Sequence, residues 1–511
     1  MEFETIQKYL NDTGFGSATN GLLFTIGFLI LIKVFQKFVK WSNVLWKGPP
    51  GPIGLPLVGY LPFLGDEPYK TFWKMRKKYG DIISVYLGPK YTVVLNEYTV
   101  AKEVLSHPYA LDKATDVFSL LGNVGFGSEN GEAWQEQRKF CLSTARNLGV
   151  GKGPWEDLIM EETSAFVEEV YKHQGKPSNM VPTLVSSLNA CIISLLIGRR
   201  LKKDKDANKI KLCFDYADIA MRFVGPSNPT SVVPGLRKFC EIFKLAGFDH
   251  AAKIVKDFNS FIRDEITRHK GSSDRDVNDF INSYLDKLST ISKSNDTKNH
   301  FSEKMLEGNL IVLFLGASDT ISSSLSWMFR LLCAYKDVQD KVYAELIEAF
   351  GKDGKVRYED RHMIPYTFAV IMEAQRFVSI VRLSGTRKAS QDIPVRGYVI
   401  PKGADITANL WALHNDPKYW DKPEEFRPER FLTDGGTKLI KQPPSYAPFS
   451  FGKRNCPGET IAWMGIIIFF TETIKNFEIS VPPGMKLEFK DENSLVAHIT
   501  PQPLCFKPRN N

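Results

Sequence analysis

One cysteine near the C-terminal end of the chain is placed where its sulfur can do chemistry. Cys456 lies within Phe449–Glu459, between an apolar loop that turns at Gly452 and an apolar segment with helical character. Pro457 suits the first turn of that helix, where no backbone N–H is needed. Free amides and the positive end of the helix dipole then face the sulfur and favour its thiolate. Such a thiolate is suited to be an axial ligand of haem iron, where it promotes O–O bond cleavage.

The neighbours of Cys456 fit the same chemistry. Gly452 and Gly458 leave room for a porphyrin to lie against the backbone, and Arg454 is placed to pair with a haem propionate. The alternative is a buried, inert thiol, which is the usual state of a lone cysteine. The combination of Phe, Gly, Arg, Cys and Gly at this spacing favours a role as haem ligand for Cys456 over that of an inert thiol.

The bulk composition is that of a globular protein. The chain has 511 residues, 43% hydrophobic and 24% charged, and its length alone suggests two to four domains. The net charge of +8 is spread without blocks of one sign, so nucleic acid is not indicated as a partner. Seven cysteines without a Cys-x-x-Cys pair and eight unclustered histidines indicate neither a disulfide framework nor a structural metal. We therefore expect the body of the protein in a reducing compartment.

The N-terminal end predicts a membrane anchor. The apolar run 21–32, extended to 14–39, is long enough to span a bilayer. Acidic residues precede the run and lysines follow it, which leaves the C-terminal side in the cytosol. A cleaved signal peptide and a mitochondrial presequence are the alternatives. The first lacks a basic start and a clear cleavage site, and the second lacks arginine, so we predict an uncleaved signal anchor over residues 1–40.

The next segment, 41–56, contains four prolines within eight residues. Prolines at this density cannot continue a helix and favour a stiff connector. We therefore predict a hinge here, followed by a catalytic domain over residues 57–511. Asn11 heads an Asn-Asp-Thr glycosylation acceptor on the far side of the predicted anchor.

Several elements of the body are predicted from local patterns. Residues 69–79 read as an amphipathic helix, and 81–87 with 91–96 read as a hairpin. The glycine-rich 125–131 carries no phosphate-loop lysine and is interpreted as an active-site loop. Residues 155–299 read as mostly amphipathic helix, with the polar part 271–300 expected at the surface.

The stretch 302–334 predicts one long helix that is apolar on most sides and therefore buried. Its middle contains Asp319 and Thr320, and a buried acid is costly unless it is used. A capping or surface role for Asp319 is the alternative. Elsewhere, Trp134 and Arg138 lie four residues apart and share a helix face. By themselves they would indicate a core tryptophan beside an exposed arginine.

A similar ambiguity holds for Glu373 and Arg376, which lie three residues apart on a predicted helix. As a surface ion pair they would contribute little.

These motifs, in this order over roughly residues 47–508, resemble the haem-thiolate monooxygenases, the cytochromes P450. The stretch 146–152 is similar to the microsomal branch that includes xenobiotic and steroid hydroxylases. The resemblance implies a single mainly α domain with a small β region, the cytochrome P450 fold, preceded by one N-terminal transmembrane helix. It overrides the domain number that length suggests.

The resemblance also implies roles for individual residues. It makes Cys456 the axial ligand of haem b, within the loop that carries Phe449 and Gly458. The expected propionate contacts are Trp134, Arg138, Arg387 and Arg454. The expected proton relay for dioxygen activation is the pair Asp319 and Thr320. The expected support of the ligand loop is the set Glu373, Arg376 and Arg430. Three residues depart from the family pattern, namely Ala317 for a usual glycine, and Arg382 and Thr386 where prolines are frequent.

The activity implied is insertion of one oxygen atom from O2 into a lipophilic small molecule: a steroid, a fatty acid or terpenoid, or a xenobiotic. The chain has no flavin or dinucleotide fingerprint, so electrons from NADPH would arrive through NADPH-cytochrome P450 reductase, with cytochrome b5 as a further partner. The implied location is the endoplasmic reticulum membrane, with the catalytic domain in the cytosol. Four lysines are candidates for a partner-docking face, or else for ordinary solvated surface: Lys139, Lys438, Lys441 and Lys453.

Two other functions remain open from the sequence. A haem-thiolate isomerase or dehydratase acting on peroxides needs no reductase, and a non-enzymatic haem-binding protein needs neither reductase nor proton relay. The pair Asp319 and Thr320 favours the monooxygenase.

Overall fold

A computed structural model describes residues 47–114, 125–202, 205–223, 230, 233, 235–272, 278–294, 298–441, 443–492 and 494–509. The predicted anchor 1–40 and Asn11 lie outside these residues. The described chain is mainly helical with small sheets, as the resemblance implies.

Fourteen α-helices lie in the part of the chain that the structure describes. The first eight are α1 (Pro68–Tyr79), α2 (Tyr98–Ser106), α3 (Gly131–Asn147), α4 (Gly153–Tyr171), α5 (Val181–Ile197), α6 (Ala207–Phe223), α7 (Leu236–Ile242) and α8 (Phe248–Gly271). The remaining six are α9 (Phe280–Ser294), α10 (Glu303–Ala334), α11 (Lys336–Phe350), α12 (Pro365–Val378), α13 (Leu410–Asn415) and α14 (Glu459–Asn476).

Among the described residues, the strands form one five-stranded sheet and four two-stranded ones. The large sheet has the order β1 (Ile82–Leu87), β2 (Lys90–Leu95), β7 (Asp405–Ala408), β4 (Arg387–Lys388), β3 (Asp112–Lys113). The small sheets pair β5 (Ile393–Val395) with β6 (Tyr398–Ile400), β8 (Leu432–Thr433) with β9 (Lys438–Leu439), β10 (Phe477–Ser480) with β13 (Cys505–Pro508), and β11 (Asp491–Glu492) with β12 (His498–Ile499). The predicted hairpin is confirmed as β1 and β2, which are antiparallel.

Helix α10 runs through the core, as predicted. It starts after Ser302, whose hydroxyl accepts the Met305 N–H, a helix cap. Of the described helices, it alone is long and apolar enough to cross a bilayer, and 67% of its most apolar window is buried inside the protein. Three serines in its middle, Ser322, Ser324 and Ser326, bond back to the helix, as Ser326 does to the carbonyl of Ser322 (2.7 Å). That bond lets hydroxyl groups lie in an apolar core.

Helix α14 packs directly against α10. A Cβ on Gly465 would lie 3.2 Å from Ile321, so the absence of a side chain allows the close approach. Because Ile321 follows Thr320 in the chain, this contact brings the helix behind the cysteine loop next to the predicted relay.

The expectation that 271–300 lies at the surface is wrong for residues 280–284, which begin helix α9. Helix α9 buries Phe280 and Tyr284 completely or nearly so, and the Tyr284 hydroxyl donates to Gln137 (3.0 Å). A polar composition averaged over thirty residues conceals one apolar face of an amphipathic helix.

Candidate haem site

The cysteine loop closes on itself just before α14. The Cys456 N–H donates to the Phe449 carbonyl (2.9 Å), and the Asn455 N–H donates to the Gly452 carbonyl (3.0 Å). Helix α14 begins at Glu459 with Gly458 as its N-cap. The prediction that Pro457 occupies the first helical turn is therefore wrong. Pro457 lies in the turn that leads into the helix, where its fixed φ shapes the loop.

The prediction that the start of the helix lowers the pKa of Cys456 and so favours its thiolate is also wrong. Burial raises the pKa of the Cys456 thiol, and the nearby Glu459 carboxyl raises it further. The Gly458 N–H and Arg138 act in the opposite direction without prevailing. The thiol is therefore expected to lose its proton when a metal cation takes its place, as metal ligation by cysteine requires.

The two glycines of the cysteine loop, Gly452 and Gly458, have different structural roles. A Cβ on Gly458 would lie 3.9 Å from the Cys456 sulfur, so this glycine keeps the flank of the sulfur uncrowded. Gly452 has φ +71°, and a Cβ there would lie 2.5 Å from the Leu105 carbonyl oxygen. Gly452 therefore lets the loop dock against the end of α2, and its expected role in leaving room for a porphyrin stays a prediction.

Arg454 is a buried side chain bound only to backbone and amide oxygens. Its Nε donates to the Leu111 carbonyl (2.6 Å), and its Nη2 donates to the Glu129 carbonyl (2.5 Å) and to Asn130 Oδ1 (3.0 Å). The guanidinium lies 4.0 Å from the centre of the buried Trp134 ring, a cation–π contact. The structure thus brings together two of the residues expected to contact propionates.

Two more of the expected contacts converge on the same loop. Arg387 is buried and donates to the Leu105, Ala110 and Phe451 carbonyls. Arg138 donates to the Asn455 side chain (2.8 Å), next to the cysteine. Arg138 is half-buried, so the alternative of a fully exposed arginine beside a core tryptophan is wrong.

A fourth cation, Lys113, joins them without any sequence signal of its own. It faces Arg387 in the short ladder between β3 and β4. Within the described residues, none of the four cations Lys113, Arg138, Arg387 and Arg454 forms an ion pair with a carboxylate. Only the strand pairing reveals Lys113, because it joins residues far apart in the sequence.

The mutual repulsion of the four cations Lys113, Arg138, Arg387 and Arg454 would be relieved by a bound anion. Burial, together with repulsion from its cationic neighbours, lowers the pKa of Lys113 to about 7 and that of Arg387 to about 10. The same causes lower the pKa of Arg454 to about 9. Clustered charges out of water are unfavourable until an opposite charge arrives. A dianionic group such as the two propionates of haem fits this donor set.

The face of α10 at Thr320 is open. Gly316, in the middle of a buried helix, is exposed, and a Cβ there would meet nothing within 4 Å. The Thr320 hydroxyl donates to the Gly316 carbonyl (2.9 Å) at this opening. Next to it, Ala317 in place of the usual glycine leaves α10 continuous.

Asp319 points in a different direction and is 6% exposed. The His498 Nε2 lies 2.7 Å from Asp319 Oδ1, and Oδ2 accepts no hydrogen bond from the described chain. The alternative of a surface or capping role is therefore wrong, because the residue is buried in mid-helix. His498 was not recognisable in the sequence, since it lies 179 residues away.

Glu373 and Arg376 are fully buried and form a two-point ion pair, with Nε–Oε2 of 2.7 Å and Nη2–Oε1 of 2.8 Å. The Arg430 Nε also donates to Glu373 (3.1 Å). The surface ion-pair alternative is wrong. The structure brings the three expected residues together.

The two remaining departures from the family pattern are both accommodated. Arg382 forms an ion pair with Asp491 (2.5 Å) and lies over the Tyr69 ring (4.6 Å). Thr386 is buried, and its carbonyl accepts the Ala114 N–H (3.4 Å).

The chain is similar to known proteins along almost its whole length. The family model described as Cytochrome P450 matches residues 49–506. Cytochrome P450 18a1 of Drosophila melanogaster is 30% identical and covers 97% of this chain and 93% of its own length. Cytochrome P450 2J5 of Mus musculus is 32% identical, with 96% of each chain covered, and Cytochrome P450 2C29 of Mus musculus is 33% identical, with 95% and 99% covered.

These relatives are of the microsomal type, and the expectations of a P450 enzyme and of thiolate-ligated haem are confirmed. The chain belongs to the cytochrome P450 family of haem-thiolate monooxygenases.

Proposed function

We propose that this chain is a membrane-anchored monooxygenase that uses Cys456 as its haem ligand and inserts one oxygen atom from O2 into a lipophilic small molecule. The observation that carries the assignment is a partly buried cysteine just before α14, beside a cluster of cations that form no ion pair among the described residues. Haem b, when bound, supplies the oxygen chemistry. The substrate class, whether steroid, fatty acid, terpenoid or xenobiotic, follows from the lipophilic substrates of the family.

The chain's own residues would hold and serve the cofactor. Trp134, Arg138, Arg387 and Arg454 are assigned to the propionates, joined by Lys113. Phe449 and Gly458 shape the loop around the sulfur, and Glu373, Arg376 and Arg430 support it from behind. Asp319 and Thr320 are assigned to proton delivery, because the Thr320 hydroxyl lies at the exposed face of α10 beside Gly316.

That opening bears on the rival functions. A peroxide isomerase or dehydratase often lacks the acid–threonine pair, and a non-enzymatic haem protein needs no proton relay. The presence of both Asp319 and Thr320 at the core helix supports the monooxygenase.

Membrane attachment is supported by exposed apolar side chains in two segments of the chain. Ile53 and Leu57 are 85% and 90% exposed, and Ile242 is 73% exposed. Val233, from the segment that precedes α7, packs on the cluster that contains Tyr60. Large exposed apolar areas mark membrane or partner contacts. We place residues 1–40 in the endoplasmic reticulum membrane and 57–511 in the cytosol.

The second half of the hinge 41–56 is attached to the body. The Ser84 N–H and hydroxyl donate to the Pro50 and Pro49 carbonyls (2.9 and 2.7 Å). A connector fixed to β1 in this way would hold the body at a set angle to the membrane.

The electron donors in this proposal are NADPH-cytochrome P450 reductase and cytochrome b5. Lys453, in the cysteine loop, is exposed, as are Lys139, Lys438 and Lys441. Exposed cations around the ligand loop would steer an acidic partner to this face.

Carbon monoxide difference spectroscopy tests the assignment. The reduced wild-type protein should show the red-shifted Soret band of a thiolate-ligated haem, and Cys456→Ser should lose it. Retention of the band by the variant would contradict the ligand assignment.

Oxygenated product that depends on NADPH and reductase separates the monooxygenase from both rivals. Protease added to intact microsomes should digest the body, and protection of the region beyond Lys47 would contradict the orientation.

A further inference from the structure

The C-terminal segment 494–499 is fastened along one face of α10. Asp319, Ser323 and Trp327 lie four residues apart in succession and therefore share that face. The Ser323 hydroxyl and the Trp327 indole N–H both donate to the Ala497 carbonyl, at 2.9 and 2.6 Å. The next residue, His498, contacts Asp319. The whole segment is thus registered on the helix that carries the relay.

The ring of His498 is held from both sides. Ser494 has one hydroxyl hydrogen, which it donates to the Val496 carbonyl, so its oxygen is left to accept from His498 Nδ1 (3.1 Å). Nε2 lies 2.7 Å from Asp319 Oδ1, within hydrogen-bond distance. The ring thus bridges Ser494 and the carboxyl group of Asp319, and the contact with Asp319 is an ion pair when the ring is protonated.

The other carboxyl oxygen of Asp319, Oδ2, is available to a partner from outside the described chain, such as an ordered water. Oδ2 is buried and receives no hydrogen bond from the described residues. A buried carboxylate oxygen without a donor is unfavourable, and ordered water is the usual remedy. Because His498 fixes Oδ1, the carboxylate cannot turn Oδ2 toward another part of the protein. The orientation of the acid is thus set by a residue outside the relay.

We propose that His498 is the positioning residue of the proton relay: it holds Asp319 through Oδ1, so that Oδ2 stays available to a water that exchanges protons with Thr320. This inference rests on the proposed function of Asp319 and Thr320. His498 itself touches neither substrate nor cofactor in this role. A fixed acid passes its proton more efficiently than one that samples several rotamers.

Three variants separate positioning from loop packing. His498→Leu removes the donor, whereas His498→Gln can place an amide N–H near the position of Nε2. Ser323→Ala is the matched control, because it removes a neighbouring bond to the same segment and leaves Asp319 untouched. Product per NADPH should fall about tenfold in His498→Leu, part of the ~10²–10⁴ that a positioned proton donor contributes. His498→Gln should recover most of this loss, and Ser323→Ala should match the wild type.

Two readouts do not require turnover. In the reduced carbon monoxide complex, the C–O stretching band should broaden or split in His498→Leu, because the dipole of Asp319 then takes several orientations. The band should stay single in His498→Gln and Ser323→Ala. Amide hydrogen exchange of 494–500 should accelerate in both His498→Leu and Ser323→Ala, which shows that both loosen the segment.

Unchanged coupling and an unchanged C–O band in His498→Leu would overturn the proposal. So would equal losses in His498→Leu and His498→Gln, since the ring itself would then be required. An equal loss in Ser323→Ala would assign the effect to loop packing. A wild-type protein that forms no product with reductase would contradict the proposed function instead, and the C–O band would still decide the role of His498.

Discussion

Glu373 and Arg376 meet in a two-point ion pair from which water is fully excluded. The remaining donors of Arg376 reach the His414 and Pro423 carbonyls (2.8 and 3.0 Å), and Arg430 adds a third contact to the carboxylate. The pair therefore fastens helix α12 to the chain that leads toward the cysteine loop. A pair so completely hydrogen-bonded avoids the usual cost of buried charge.

Glu373→Gln should destabilise the fold by about 3–5 kcal/mol, because it leaves two buried arginine groups without their counter-charge. The expected result is little or no haem-loaded protein, measured as the ratio of haem to protein after purification.

The matched control is Glu169→Gln, which breaks another i,i+3 ion pair, with Lys172, at the surface. That variant should lose no more than about 1 kcal/mol. Equal haem loading in Glu373→Gln and Glu169→Gln would contradict the supporting role.

Arg138→Gln tests the cation cluster. Removing one of four mutually repelling cations should leave the haem-free protein no less stable, while the loss of a charged hydrogen bond should speed haem release about tenfold or more. The measurement is haem transfer to an excess of an apo-haem acceptor, alongside thermal unfolding of the haem-free protein. Arg396→Gln, which breaks an exposed pair with Glu103, is the control. Haem release as slow as in the control would remove Arg138 from the site.

His414 makes the fold sensitive to acid. Its Nε2 accepts the Ala447 N–H (2.9 Å), so Nδ1 carries the proton and donates to Ser379 (2.7 Å). Burial, with a further effect of Arg376, lowers the pKa of His414 to about 3 from an ordinary value of 6.5. Between these values the unfolded chain binds one more proton than the folded protein does. Stability is therefore complete above pH 6.5 and falls as the pH decreases, by about 2 kcal/mol at pH 5.

In His414→Gln, the loss of stability between pH 7 and pH 5 should shrink by that amount, measured as the change in denaturant midpoint. The control is the exposed His362, whose replacement by Gln should leave the pH dependence as in the wild type. An undiminished loss in His414→Gln would refute the assignment.

Thr320→Ala should keep haem, the thiolate spectrum and NADPH consumption. Product per NADPH should fall about tenfold or more while hydrogen peroxide rises, because proton delivery no longer keeps pace with reduction. Parallel assays of product, peroxide and NADPH measure this partition.

Ser324→Ala is the control for Thr320→Ala, since Ser324 makes the same kind of back-bond one turn later, to the Thr320 carbonyl (2.8 Å). Undiminished product per NADPH in Thr320→Ala, or an equal fall in Ser324→Ala, would remove the relay assignment.

Features with local signals were predictable from the sequence. Helix α10 has its cap at Ser302 and an apolar run behind it, and the hairpin of β1 and β2 has two strands rich in β-branched and aromatic residues around a Gly-Pro-Lys turn. The arginines around the ligand loop were found through the spacing of the family motifs.

Features that depend on contacts between distant segments were not predictable. Lys113 enters the cation cluster only because β3 pairs with β4. His498 meets Asp319 only because the C-terminal segment folds onto α10. The Leu105 carbonyl, which explains Gly452, lies in a helix with no sequence link to the cysteine loop. In each case the residue type carries no signal in its local sequence, and only the contact with a distant segment shows its role.

The attachment of the C-terminal segment to α10 bears on how this protein is made. Arg330, buried in α10, finds its partners at the carbonyls of Glu488 and Thr500 and at the side chain of Gln502. A ribosome delivers those partners only after residues 488–502 have been synthesised, long after α10 itself. Until then the central helix carries an unsatisfied cation, and the body around it cannot complete its packing. Capture of the cofactor therefore requires the segment that ends with Gln502, and a stop codon before residue 502 should leave a chain that never acquires haem.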